Sequence, residues 1–250
     1  MINNKDKKLT IQNERNPTYS GTEELIAIEQ GLKKYSKYIV HQIAKAGRGK
    51  LNIKVLEFGA GRGQLAELFE DYFDIKPICV EIDPFCISIL KNKGFKVFTS
   101  TKLVRTQFDL IYTSNVLEHI ENDIEVLKNL NNLLAPNGVL VIYVPALPIL
   151  FSNFDLKVGH VRRYRKNELM SKVNTAGFRI DDCFWNDSLG VILSMAVKLF
   201  GQKSSINIGN VKLLKFYDNV FFPISKVFDR VLFKRIIGKN LFVYATKLNK

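Results

Sequence analysis

Two glutamates, three glycines and two histidines are the residues of this sequence whose types and spacing could do chemistry. Residues 55–63 read Val-Leu-Glu-Phe-Gly-Ala-Gly-Arg-Gly, so glycines recur at 59, 61 and 63 directly after an apolar run. Glycines at the mouth of a buried strand let a ligand approach the backbone closely, and a helix that follows offers unpaired N–H groups. A dinucleotide fingerprint needs a glycine three residues after Gly61, where Gln64 stands. Glu57 instead sets a carboxylate just before the turn, which repels a pyrophosphate and suits a cationic amine. Glu81, in Val80-Glu81-Ile82-Asp83, follows Gly59 by 22 residues, the position of a carboxylate that accepts both hydroxyls of a ribose. The pair fits a nucleoside that carries a positive group.

The elements that must position these residues alternate along the chain. A helix over 22–46 runs at helical spacing through Leu25, Ile28, Leu32, Tyr35, Ile39 and Ile43 and stops at Gly47. Strands are predicted at 53–58, 77–82, 95–99, 108–113 and 138–144, with helices at about 63–73, 84–93 and 121–134 between them. A loop over 145–165, a helix over 166–176, a strand over 178–185 and a last strand over 241–247 complete the pattern. Strand-helix alternation of this kind is a doubly wound α/β fold with helices on both faces of a mostly parallel sheet. Three parts follow: an arm and helix over 1–47, a core over 48–185 and 240–250, and a helical basic insertion over 186–239.

Four blocks in order, VLEFGAGRG, VEID, FDLIYTSNVLEHI and LLAPNGVLVIYVP, resemble a class I S-adenosylmethionine-dependent methyltransferase. The resemblance covers about residues 53–185 and the last strand. It implies a Rossmann-like seven-stranded sheet with an antiparallel last strand, and S-adenosylmethionine as cofactor. Glu57, Gly59, Ala60, Gly61 and Gly63 would hold the methionine end, Glu81 with Ile82 the ribose, and Asn115 would line the pocket. An Asp that the family often has after the third strand is replaced by Thr99-Ser100-Thr101, so adenine recognition has no assigned residue.

On the acceptor side, His119 follows the fourth strand and His160 lies in the loop after the fifth, in Asp155-Leu-Lys-Val-Gly-His160-Val-Arg162-Arg163-Tyr164. A hydroxyl nucleophile must lose its proton, and a positioned base assists by ~10²–10⁴; His160 is the first candidate and His119 the second. His119 could equally cap the next helix, and His160 could simply pin its loop. Arg162, Arg163 and Tyr164, with Arg165, are candidate grips for a phosphate or carboxylate on the acceptor. The D-x-x-x-G-H-x-R-R-Y string resembles a subgroup of these methyltransferases linked to cell-envelope and polysaccharide genes, which implies a small, glycan or lipid-linked acceptor methylated at oxygen.

Composition narrows the classes. Of the 250 residues, 46% are hydrophobic and 24% charged, enough for a core and unlike collagen or a disordered chain. Three cysteines (Cys79, Cys86, Cys183) make no C-x-x-C pair, and three histidines make no H-E-x-x-H motif; the expectation is a cytoplasmic protein with free thiols and no metal. The N-terminus lacks an apolar h-region. The longest apolar run, Val139–Phe151, is 13 residues and contains Pro145 and Pro148, where a spanning helix needs ~20.

The net charge of +13 is uneven: residues 51–150 carry −3 and residues 151–250 carry +11. Within the insertion, Val211–Ile237 has apolar residues at 213, 217, 220, 224, 227, 228, 231 and 232, interrupted by Pro223 and flanked by lysines and arginines. That reads as a lid or as a membrane-surface element on the inner face. RNA methylation and a non-catalytic nucleoside-binding or membrane-adaptor role are the alternatives.

Overall fold

The computed structural model describes residues 22–47, 52–200, 210–231 and 235–248. The arm expected over 1–20 lies outside them, as do residues 201–209 and the Leu232, Phe233 and Lys234 of the insertion's pattern.

The strands are β1 (Val55–Phe58), β2 (Ile78–Val80), β3 (Val97–Phe98), β4 (Phe108–Ser114), β5 (Leu134–Pro145), β6 (Phe178–Asn186) and β7 (Asn240–Lys247). They form one sheet in the order β3-β2-β1-β4-β5-β7-β6. All neighbours up to β5 are parallel, and β7 is antiparallel to both β5 and β6. The chain builds outward from β1 through β2 to β3, then returns to lay β4 on the other side of β1. This reversal opens a crevice at the carboxyl ends of β1 and β4, where open α/β sheets take their ligands.

The central strands are apolar on both faces because both faces are covered. On β4 the side chains alternate: Leu110 and Tyr112 join Tyr35, Ile39, Val40 and Phe69 on one face. Ile111 joins Leu127, Leu130, Leu169 and Val173 on the other. The period of two along the strand therefore feeds two separate cores.

The helix expected over 22–46 is two, α1 (Thr22–Gly31) and α2 (Lys33–Lys45). Leu32 breaks the run at φ −112°, ψ 52°. The reason is tertiary: the Asp218 carboxylate accepts the Lys34 and Tyr35 N–H groups, each at 2.8 Å, and so caps α2 from across the chain. A Cβ on Gly31 would stand 2.5 Å from the Leu214 Cβ, so the insertion packs directly on this joint.

Next come α3 (Gln64–Phe73), α4 (Pro84–Asn92), α5 (Asp123–Leu133), α6 (Asn153–Lys157), α7 (Lys166–Thr175) and α8 (Ser188–Phe200). The short α6 falls in the stretch expected to be loop, and a Ser152–Asp155 capping box starts it. Strand β5 begins at Leu134, four residues before the expected start, because Leu134 pairs with Phe108 ahead of a register shift.

The insertion continues as α9 (Val211–Phe216), a π turn over Tyr217–Phe221, and α10 (Phe222–Val231). The wide turn lies just before Pro223, whose ring would clash with a regular helical carbonyl four residues back. The face turned inward carries Tyr217, Asp218, Phe222, Ser225 and Asp229, while Val220, Ile224, Val227, Phe228 and Val231 are exposed. Most of the expected apolar stripe thus points away from the protein. Asp229 accepts the Asp187 and Ser188 N–H groups at 2.7 and 3.0 Å and pins α10 to the end of β6.

Candidate active site

The turn after β1 is held by Val80, whose carbonyl accepts the Gly59 and Ala60 N–H groups at 2.9 and 3.2 Å. Gly59 has φ +76°, and a Cβ there would stand 2.3 Å from Val116 Cγ2, so packing and backbone both demand glycine. Gly61 has φ +52°, but its added Cβ would meet nothing nearer than Leu25 Cδ1 at 3.9 Å. Space is therefore open beside Gly61, as a cradle needs. Gly63 closes the turn as the left-handed N-cap of α3.

Of the two expected carboxylates, Glu81 bonds this turn directly and Glu57 lies buried behind it. Glu81 Oε2 accepts the Gly61 N–H at 2.6 Å, while Oε1 accepts Ile82 N–H at 2.7 Å and Asp83 N–H at 2.9 Å. Glu57 is buried at the end of β1 and accepts the Tyr112 hydroxyl at 3.0 Å. Burial pushes the Glu57 carboxyl up to about 8; the Tyr112 bond pulls the other way and nearby Glu81 adds to the rise. A cation beside Glu57 would relieve that penalty. Ala60 is buried, whereas Ile82 is 80% exposed.

Asn115, directly after β4, takes φ +53°, an uncommon conformation for a residue with a side chain and one that clusters at functional sites. Its N–H donates to the Tyr143 carbonyl at 2.8 Å. Helix α1 reaches the same loop: Arg62 Nε donates to Glu29 Oε2 at 2.8 Å. Sequence reading missed this tie, since neither residue signals it.

The two histidines, 41 residues apart in sequence, meet edge to face with ring centroids 4.6 Å apart. His160 Nδ1 lies 2.8 Å from Asp155 Oδ1, and Asp155 also accepts from Arg163 Nε at 2.8 Å. Burial raises the Asp155 carboxyl, but the His160 bond and Arg163 outweigh it and hold it at about 2. His119 Nδ1 lies 3.1 Å from the Gly159 carbonyl. Burial, with His160 alongside, lowers His119 to about 4. Glu118, fully buried, stands with its Oε1 3.8 Å from His160 Nε2. Burial lifts its carboxyl to about 8. Asp155 and Glu118 had a visible signal, a carboxylate five residues from one histidine and next to the other.

The expected acceptor grips are otherwise engaged. Arg162 donates to Asp123 Oδ2 and to the Glu121 carbonyl, both at 3.0 Å. Arg163 serves Asp155, with its side chain only 9% exposed. Tyr164 is fully buried and donates to Asp123 Oδ2 at 2.7 Å. Their bonds order the loop after β5, and of their buried side-chain atoms only Arg163 Nη1 finds no partner among the described residues. Arg165 is exposed and lines a separate cleft of about 530 Å³ with Leu147, Pro148, Lys166 and Trp185.

Residues 31–182 match the family model described as a methyltransferase domain. The chain belongs to that family. Solved structures share the methyltransferase's fold at low identity. A methyltransferase dependent on S-adenosylmethionine from Archaeoglobus fulgidus is 21% identical with a TM-score of 0.55, covering 84% of this chain and 92% of that one. Phosphoethanolamine N-methyltransferase 2 of Haemonchus contortus, solved with S-adenosyl-L-methionine, is 15% identical with a TM-score of 0.56, covering 85% of this chain and 53% of that one. The [4+2]-cyclase SpnF is 13% identical with a TM-score of 0.55, covering 86% and 82%, and shows that this fold also serves other chemistry. No curated protein matches the sequence. S-adenosylmethionine is the methyltransferase's expected cofactor, and the site fits it: an open cradle at Gly61, a buried carboxylate that a cation would relieve, and a second carboxylate across the turn. Among the described residues, no helix is long and apolar enough to cross a membrane.

Proposed function

We propose that this methyltransferase transfers a methyl group to an oxygen of a small or lipid-linked acceptor, of the surface-glycan or isoprenoid-linked class. The observation that carries the reading is the open glycine turn at Gly61, bonded by Glu81 and backed by the buried Glu57. When bound, S-adenosylmethionine supplies a methyl carbon made electrophilic by a sulfonium. Glu57, Gly59, Ala60, Gly61 and Gly63 would hold its methionine end, Glu81 and Ile82 its ribose, and Asn115 the wall at the end of β4. Glu81 has lone pairs left for hydroxyls after accepting three N–H groups.

Holding the reactants in line supplies ~7–11 kcal/mol of such a barrier. The remaining task is the acceptor's proton. His160 suits it, since Asp155 takes the Nδ1–H and leaves the ring's lone pair on Nε2, beside His119. Arg162, Arg163 and Tyr164 then act by positioning this loop.

The insertion supports a lipid-linked acceptor. Ile192, Leu199, Val220, Val227 and Val231 are exposed on α8 to α10, with Lys212, Lys215, Lys226 and Arg230 exposed among them. An outward apolar face studded with cations suits an anionic membrane surface.

Labelled methyl transfer into a cell lysate, split into lipid, glycan and RNA fractions, tests the reading. Label in the lipid or glycan fraction, retained as an ether or ester, is expected. Label in RNA alone would overturn the acceptor class, and S-adenosylhomocysteine binding without any transfer would overturn the enzyme.

A further inference from the structure

We propose that Glu118, His119 and His160 form a binding site for a divalent transition metal at the carboxyl edge of β4. The three offer one carboxylate oxygen and two imidazole nitrogens, and these atoms lie within 4.8 Å of one another. Each histidine is held through Nδ1 by an oxygen, Asp155 Oδ1 at 2.8 Å for His160 and the Gly159 carbonyl at 3.1 Å for His119. An Nδ1–H bound this way puts the lone pair on Nε2. This is the outer-sphere arrangement that orients metal-ligating histidines. Asp155 is itself fixed by Arg163 Nε at 2.8 Å and by the Ser152 N–H at 2.9 Å, so the support is two layers deep.

Glu118 is the independent observation. It is fully buried, and among the described residues no other residue donates a hydrogen bond to either of its oxygens. Its Oε1 stands 3.8 Å from His160 Nε2. A buried carboxylate with unspent oxygens is unfavourable as an anion unless a cation meets it, and otherwise keeps its proton. Ligand atoms around one tetrahedral ion at 2.0–2.1 Å stand about 3.3 Å apart, so modest side-chain rotations close the present spacing to a ligand set.

Two imidazoles and a carboxylate select zinc, manganese or iron over magnesium and calcium, which take all-oxygen shells. Three protein ligands leave a coordination position open, as in catalytic sites. Metal binding stands on the cluster alone; its catalytic use rests on the oxygen-methylation reading. There, a metal-bound acceptor hydroxyl would give up its proton more readily, and His160, its one lone pair spent on the metal, would serve as a ligand in place of the general base. The histidine spacing hid this site, because its ligands come from two segments joined only by the fold.

The test is titration of the full, chelator-stripped chain with zinc and manganese by calorimetry, with magnesium as control, and absorption spectroscopy after cobalt substitution. One equivalent of zinc with micromolar or tighter Kd, and a visible cobalt spectrum of nitrogen–oxygen ligation, are expected. His119→Ala and Glu118→Gln should weaken zinc binding at least tenfold, and Asp155→Asn by ~10–100-fold, with circular dichroism reporting folding. Should a variant fail to fold, the wild-type cobalt spectrum still decides. No zinc equivalent on the folded wild type, or unchanged affinity in folded His119→Ala, would overturn the site. S-adenosylhomocysteine binding, measured separately, keeps the readings apart. Methyl transfer that survives chelation with no metal bound sinks only the metal's catalytic use, whereas zinc binding without nucleoside binding sinks only the transferase reading.

Discussion

Glu57 is a carboxylate whose environment works against its charge, and this has a measurable sign. Its folded pKa is about 8, against an ordinary 4.5, chiefly through burial. The stability that the neutral form contributes is present in full below about pH 4.5 and is lost as pH rises through about 8. Glu57→Gln should therefore remove part of the fall in stability between pH 5 and 9, checked by denaturant melts across that range. Binding a ligand ammonium requires the ionised form. At pH 7, S-adenosylhomocysteine should release close to one proton, read by calorimetry in buffers of different ionisation enthalpy, and Glu57→Gln should abolish the release. At the other end of the site, Asp155 orients His160 through Nδ1. Asp155→Asn should lower kcat by ~10²-fold or more with little change in KM for S-adenosylmethionine, measured by steady-state methyl transfer.

At the scale of the element, the glycine turn separates folding from binding. Gly59→Ala meets both a positive φ and Val116 at 2.3 Å, a combination that costs about 3 kcal/mol or more. At ~2–4 °C per kcal/mol for a chain of this size, Tm should fall by roughly 6 °C or more. Gly61→Ala meets only the backbone cost of about 1–2 kcal/mol, but its methyl enters the open side of the turn. It should keep most of the Tm and lose at least tenfold in affinity for S-adenosylhomocysteine. Comparing the two variants by thermal shift and calorimetry checks both. The helix over 22–46 was legible from its spacing, whereas its division at Leu32 was not. The residue that caps α2 is Asp218, 184 positions from Lys34, and no local pattern carries that information.

At the scale of the molecule, the insertion is a bound part of the core. Asp218 ties it to α2, and Asp229 ties it to the end of β6. Asp218→Ala leaves two helix N–H groups without their carboxylate and should cost about 1–3 kcal/mol, seen as a lower Tm. The face left outside carries the apolar residues. The double change Lys212→Glu and Lys215→Glu reverses exposed charges, and leaves Lys226, whose ammonium lies 5.5 Å from the Tyr38 ring of α2. With each charge worth ~1 kcal/mol at an anionic surface, it should reduce cosedimentation with anionic vesicles at least tenfold while circular dichroism stays unchanged. Equal cosedimentation would leave α8 to α10 as a cover over the core.

By itself the sequence determined the seven strands, their alternation with helices and the glycine turn with Glu81 bonded to it. Those features depend on residues close in the chain, through alternation, turn chemistry and a fixed offset from strand to strand. Tertiary structure alone decided what the charged and polar residues do once distant segments meet. It joined His119 to His160 beside Glu118, engaged Arg162, Arg163 and Tyr164 with Asp123 and Asp155, and turned the apolar stripe of α9 and α10 outward. The physical reason is that a helix's apolar pattern says a face exists, but which face finds a partner depends on buried carboxylates such as Asp218 and Asp229 that need N–H groups supplied from elsewhere.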